Sequence, residues 1–157
     1  MAKQYVDMDT LKFLLYRVHQ LEEVLQQDRF SEYDLESIDL FLNSVKDFSD
    51  QELFPYFKEM DETPAVFKDG KIVVHPQVGA MMKKGGELGL ISMTFDYEKG
   101  GLQLPGTVLT AASFIQDAAN NHLPGYTGLT MGAAELVAHF ASESLQKTYL
   151  PKMLAGE

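Results

Sequence analysis

Side chains able to carry out chemistry are few in this chain, and their spacing is poor for it. Four histidines, His19, His75, His122 and His139, are scattered along the sequence, and Glu135 stands four residues before His139. On a helix that spacing places a carboxylate and an imidazole on one face. A di-iron bundle needs Glu-x-x-His twice at i, i+3, and a zinc protease needs H-E-x-x-H, so a single i, i+4 pair reads as a surface pair, not a metal site. The stretch "KKGGELG" (83–89) sets two lysines beside glycines, as a phosphate loop would. It lacks the G-K-[ST] ending and the preceding strand, and packing at a helix end is the better reading. Ser113, Ser142 and Ser144 have no G-x-S-x-G elbow around them. With no cysteine, disulfides, thiolate metal sites and cysteine nucleophiles are excluded. Nothing in the sequence is a catalytic constellation.

The elements that must position these residues are almost all helical. Leu11, Leu14, Leu15, Val18, Leu21 and Leu25 recur at spacings of three and four behind Asp9, a good N-cap, and predict one amphipathic helix of about five turns. Leu35, Ile38, Leu42, Val45 and Phe48 repeat the period, and Pro55 marks where that helix ends or bends. "DETPAVFKDGKIVVHP" (61–76) is the one extended stretch, with Asp69-Gly70 suited to a hairpin turn. From Pro76 the period returns with Val78, Met81, Met82 and Leu88, and Gly89 supplies a stop; both methionines read as core. "FDYEKGGLQLPG" (95–106) is an irregular connection. Val108, Ala111, Ala112, Ile115, Ala118 and Ala119 then give the cleanest stripe, small enough for a neighbouring helix to approach closely. Tyr126, Leu129, Ala133, Leu136, Val137 and Phe140 follow, and Ser142 begins a last helix that Pro151 divides. Its ending, "TYLPKMLAGE", stops without a cap or closing element. The sum is an all-α helical bundle with one short extended hairpin or loop.

Length and charge narrow the function classes. A chain of 157 residues with 45% apolar composition suits one packed domain. With 13 basic against 23 acidic residues it is a poor partner for nucleic acid, whose binding rests on Lys and Arg. The acidity is uneven: residues 1–75 carry a net charge of −8 and residues 76–157 only −2, so contacts with other parts of a larger molecule are expected in the second half. No stretch reaches the roughly 18 apolar residues of a membrane span, and the N-terminus has no apolar signal core. A soluble cytoplasmic protein is the expectation.

Three stretches carry a resemblance: "DMDTLKFLLYRV" (7–18), "GELGLISMTFDYEKGGLQLP" (86–105) and "AANNHLPGYTGLTMGAAELVAHFASESLQKTYLPKMLAGE" (118–157). Together they resemble the N-terminal helical domain of an acyl-CoA dehydrogenase, and more closely the bacterial branch with an extra N-terminal helix that includes the methylthio-propionyl-CoA dehydrogenases. Gln103 departs from the pattern, since that branch often has a second glycine there. The resemblance implies an extension helix over 1–33 and the helical domain over 34–157. It also implies a flavin-dependent oxidation of the Cα–Cβ bond of an acyl-CoA thioester, with FAD as cofactor of a homo-oligomeric complete enzyme. In the family "LAGE" ends the helical domain, and the catalytic carboxylate, the flavin motif and most CoA contacts lie in later domains. The middle β-domain and the C-terminal helical domain would thus be absent. No catalytic residue is therefore assigned here, and the isolated chain is expected to bind no FAD and to be inactive.

By the same resemblance the segment Gly125 to Phe140 forms one wall of the acyl channel, with Tyr126, Leu129, Thr130 and Ala133 as candidate lining residues. Gly128, Gly132 and Ala133 would leave room for an alkyl chain, and "FDYEKGG" would border the channel mouth. Two other readings stand beside it. A free-standing helical interaction module would use the stripe from Val108 as a partner surface, and a domain lacking its neighbours would expose apolar surface and self-associate.

Overall fold

The computed structural model describes residues 5–157. Helix α1 (Met8–Phe13) opens on Asp7, whose carboxylate accepts from the backbone N–H groups of Asp9 and Thr10. The cap is Asp7 and not the expected Asp9, which lies in the first turn, where its charge suits the positive end of the helix dipole. Nor is the leucine stripe one continuous helix. A π turn over Leu14–Val18 widens the backbone, and Gln20 turns left-handed (φ 49°) before α2 (Leu21–Leu25). The extra residue of the π turn rotates Leu14 and Val18 out to solvent, while Leu15, Leu21 and Leu25 remain buried.

Helix α3 (Leu35–Phe48) starts in a reciprocal cap. Asp34 accepts from the Ser37 N–H at 2.8 Å, and the Ser37 hydroxyl accepts from the Asp34 N–H at 2.9 Å. Its buried face is the predicted one: Ile38, Leu42, Val45 and Phe48. A second π turn (Ser49–Leu53) and a tight turn at Phe54–Tyr56 carry the chain past Pro55 into α4 (Phe57–Glu62). Pro55 bends the run, because at the start of a turn its missing N–H costs no hydrogen bond. Strands β1 (Val66–Lys68) and β2 (Lys71–Val73) then pair antiparallel with Phe67 opposite Ile72. Asp69 and Gly70 are both left-handed (φ 51° and 77°), as a two-residue turn matching the strand twist requires. Every strand residue is exposed, so the hairpin stands off the core.

Helix α5 (Gln77–Glu87) begins after Pro76 and ends in a Schellman motif. The Gly89 N–H donates to the Gly86 carbonyl at 2.9 Å and the Leu90 N–H to the Gly85 carbonyl at 2.8 Å. After the loop come α6 (Gly106–Asn120), α7 (Pro124–Phe140) and α8 (Glu143–Leu154), the last capped by Ser142. Two expectations about α8 are corrected. The helix runs through Pro151 without dividing, because Leu150 and Leu154 are buried on either side of it and hold the turn together. It also closes properly: the Gly156 N–H donates to the Met153 carbonyl and the Glu157 N–H to the Lys152 carbonyl at 3.0 Å, a second Schellman motif. That terminal turn lies backbone to backbone on α5. A Cβ on Gly86 would stand 2.2 Å from the Ala155 carbonyl oxygen, and one on Gly156 would stand 2.1 Å from that of Met82.

The core has two parts. Leu21, Leu42, Leu53, Met81, Val108 and Ile115 sit in the main cluster, so the N-terminal segment shares one core with α3, α5 and α6. A smaller cluster joins Ile91 and Phe95 to Ala134 and Ala138 of α7 and to Leu150 and Leu154 of α8. Each fully buried leucine or isoleucine contributes about 1.5–3 kcal/mol, and the architecture is the all-α bundle read from the sequence. No helix among the described residues is long and apolar enough to cross a membrane.

Candidate functional site

Helices α6 and α7 diverge over a cleft of about 550 Å³. The α6 side supplies Ser113, Gln116 and Asp117, the α7 side supplies Gly125, Gly128 and Met131, and Leu90 and Met93 also line it. Thr127 and Gln116 are buried there, but each satisfies its own helix: the Thr127 hydroxyl donates to the Pro124 carbonyl at 2.9 Å and the Gln116 amide to that of Ala112 at 3.2 Å. Asp117 is different. Partial desolvation beside the cleft raises its carboxyl above the ordinary value, and among the described residues no cation offsets it.

The glycines of α7 are the unusual feature. A glycine inside a helix costs roughly 0.5–1 kcal/mol relative to alanine, and packing against a neighbour normally explains it. Here Cβ atoms built on Gly125, Gly128 and Gly132 would meet nothing within 4 Å. The space over this edge of α7 is open, and no internal contact requires it.

The loop between α5 and α6 borders the site from outside and is held by the N-terminal segment. Arg29 pairs with Asp96 at 2.7 Å and, by donating to it, keeps that carboxyl below its ordinary range. The Tyr33 hydroxyl donates to the Leu102 carbonyl, and the Gln103 amide donates to the Arg29 carbonyl at 2.7 Å. Gly101 is required here, since a Cβ would stand 2.0 Å from the Phe95 carbonyl oxygen. Gln103, where a glycine was the expectation of the resemblance, is itself left-handed (φ 51°). Arg29, Asp96 and Lys99 line a small polar cleft with Glu135 and His139, whose predicted pairing forms at 3.0 Å. Among the described residues no group of three or more His, Cys, Asp or Glu side chains could hold a metal ion.

The four residues read from the sequence as channel lining do not sit together in one pocket. Leu129 is 79% exposed and Ala133 is exposed, both on an outward apolar face of α7 that continues through Leu136 and Phe140. Tyr126, at the end of that face, borders a separate cleft beside His75 and His122, and Thr130 is half-buried. The glycine edge lies between the cleft and the outward face, one continuous arc at 100° per residue. The α6 wall escaped the sequence reading; its signal was the polar set Ser113, Gln116 and Asp117 at helical spacing beside the alanine stripe.

The family model for "Acyl-CoA dehydrogenase, N-terminal domain" matches residues 36–157. The chain belongs to this family. A curated relative is the butyryl-CoA dehydrogenase of Syntrophomonas wolfei subsp. wolfei (strain DSM 2245B / Goettingen), 28% identical over 154 residues. The alignment covers 96% of this chain and 25% of that protein, so this acyl-CoA dehydrogenase N-terminal domain spans about a quarter of its relative's length.

Proposed function

We propose that this chain is the N-terminal domain of a flavin-dependent acyl-CoA dehydrogenase and forms one wall of the acyl channel. The observation that carries the reading is the open glycine edge of α7, three helix-weakening residues whose Cβ positions are empty. An alkyl chain lying along Gly125, Gly128 and Gly132, flanked by Leu129 and Ala133, accounts for that composition; Tyr126 and the half-buried Thr130 lie further round α7, away from this edge, and would contribute to the channel only beyond it. Residues 1–33 act as an extension that steadies the loop "FDYEKGG" through Arg29 and Tyr33, and residues 34–157 form the domain proper. The extra N-terminal helix supports the bacterial branch that includes the methylthio-propionyl-CoA dehydrogenases; the alignment with the butyryl-CoA dehydrogenase, over 96% of the chain, spans that extension as well.

FAD is the cofactor of the complete enzyme in this reading. Among its lining residues the α6–α7 cleft presents no Lys, Arg or His to hold a diphosphate, so the role derived for it is confined to the acyl tail. That the isolated chain is inactive and flavin-free is part of the same proposal. A cytoplasmic homo-oligomer acting on acyl-CoA belongs to the same proposal. The test is to purify the native polypeptide that contains this chain. Stoichiometric FAD that is bleached by an acyl-CoA is expected, and a flavin-free polypeptide inert towards acyl-CoA would overturn the reading.

A further inference from the structure

The α6–α7 cleft has two chemically different sides. Leu90, Met93 and Met131 join the glycine edge of α7 to make an apolar one, whereas α6 contributes Ser113, Asp117 and Asn121. These three are four residues apart, so each lies about one turn beyond the last and together they form a polar stripe along the cleft. Gln116 beside them is buried and donates its amide N–H to the Ala112 carbonyl of its own helix. Asp117 has no such partner: desolvation alone acts on its carboxyl, and among the described residues neither a hydrogen bond nor a cation offsets it.

An occupant that is hydrocarbon throughout matches only the apolar side. Where it lay against α6 it would take further water from a carboxylate that already lacks a partner, which opposes its binding. A carboxylate end would meet Asp117 with like charge. An ammonium end would have to shed its hydration along Leu90, Met93 and Met131 before reaching α6, a far larger loss than a hydroxyl incurs. A hydroxyl both donates and accepts, so it serves the Asp117 carboxylate and the Ser113 hydroxyl one turn away together. We propose that the acyl group held in this cleft carries a hydroxyl at its far end, donating to Asp117 and accepting from Ser113. The inference rests on the acyl-channel reading and narrows its substrate class.

The test measures kcat/KM of the native polypeptide that contains this chain for matched CoA thioesters of increasing length, ending in methyl, hydroxyl or carboxylate. At the length where the end group reaches α6, the hydroxyl-ended thioester should exceed the methyl-ended one by about tenfold, and the carboxylate-ended one should be poorest. Asp117→Leu should reverse the order of hydroxyl and methyl, while Asp117→Asn, which keeps an acceptor oxygen, should preserve it. If Asp117→Leu does not fold, the order in the unmodified enzyme and in Asp117→Asn decides. Gly128→Leu, run alongside, separates this inference from the reading beneath it. Methyl-ended chains preferred at every length, or an order that Asp117→Leu leaves unchanged, in an enzyme whose length profile does respond to Gly128→Leu would overturn the hydroxyl inference alone. Turnover of no thioester, or a length profile that Gly128→Leu does not alter, would overturn the acyl-channel reading and this inference with it.

Discussion

The side-chain amide of Gln103 reaches back 74 residues to the backbone carbonyl of Arg29, at 2.7 Å, while its own backbone sits in the left-handed region. A non-glycine residue there costs roughly 1–2 kcal/mol, and a hydrogen bond of about 1 kcal/mol offsets part of it. Gln103→Ala keeps the strain and loses the bond, whereas Gln103→Gly loses the bond but relieves the strain. Urea unfolding should therefore rank Gln103→Ala below Gln103→Gly by about 1 kcal/mol. An alanine variant as stable as the glycine variant would mean that the left-handed backbone at position 103 carries no such strain.

Asp39 ties that segment to α3: Lys12 stands 2.8 Å from its carboxylate and the Tyr16 hydroxyl donates to it at 3.0 Å. The hydrogen bond from Lys12 lowers the Asp39 carboxyl from its ordinary value. A lowered folded-state value means that the stabilisation is present above the unfolded value and is lost as the pH falls through the folded one. Because the Asp39 side chain is 37% exposed and the pair is screened by solvent, Asp39→Asn should cost only about 0.5 kcal/mol at neutral pH and nothing in strong acid. A pH-independent difference between the two proteins would contradict the assignment.

Asp117 gives the opposite sign. Its carboxyl is raised by desolvation, so the folded state binds the proton more tightly, and the stabilising contribution vanishes as the pH rises through the folded-state value. Asp117→Asn should raise the melting temperature at neutral pH, with the gain disappearing below the ordinary carboxylate range. A neutral or destabilising effect at pH 7 would show that the cleft does not disfavour charge there.

Leu129, Leu136 and Phe140 are 79%, 62% and 83% exposed along one face of α7, and Leu145 and Tyr149 of α8 are also exposed. Apolar area of this kind seldom stays bare. Light scattering on the isolated chain should show concentration-dependent self-association, and Leu136→Glu with Phe140→Glu should abolish it. A strictly monomeric native chain at high concentration would refute this.

Much of the bundle was legible because its cues are local. The face Ile38–Leu42–Val45, the Asp69-Gly70 turn and the Pro76-to-Gly89 limits of α5 each rest on residues a few positions apart. The π turns were not legible: "LLYRV" keeps a helical spacing, and only packing on α3 decides that Leu14 and Val18 leave the core while Leu15 stays. Pro151 misled for a related reason, since tertiary burial of Leu150 and Leu154 outweighs the lost hydrogen bond. For the site, the structure leaves open space over Gly128 and Gly132, but which side of the helix that space faces depends on α6, which the sequence does not orient.

The most direct test of the channel wall is to fill it. Gly128→Leu projects a side chain into open space on α7, so the fold should survive; Gly128→Ala alone should stabilise the helix by about 0.5–1 kcal/mol. In the native polypeptide containing this chain, kcat/KM should be measured across acyl-CoA substrates of increasing length. The account predicts that Gly128→Leu lowers kcat/KM for the longer chains by about tenfold or more while leaving the shortest nearly unchanged. An unchanged length profile, or an equal loss at every length, would contradict it.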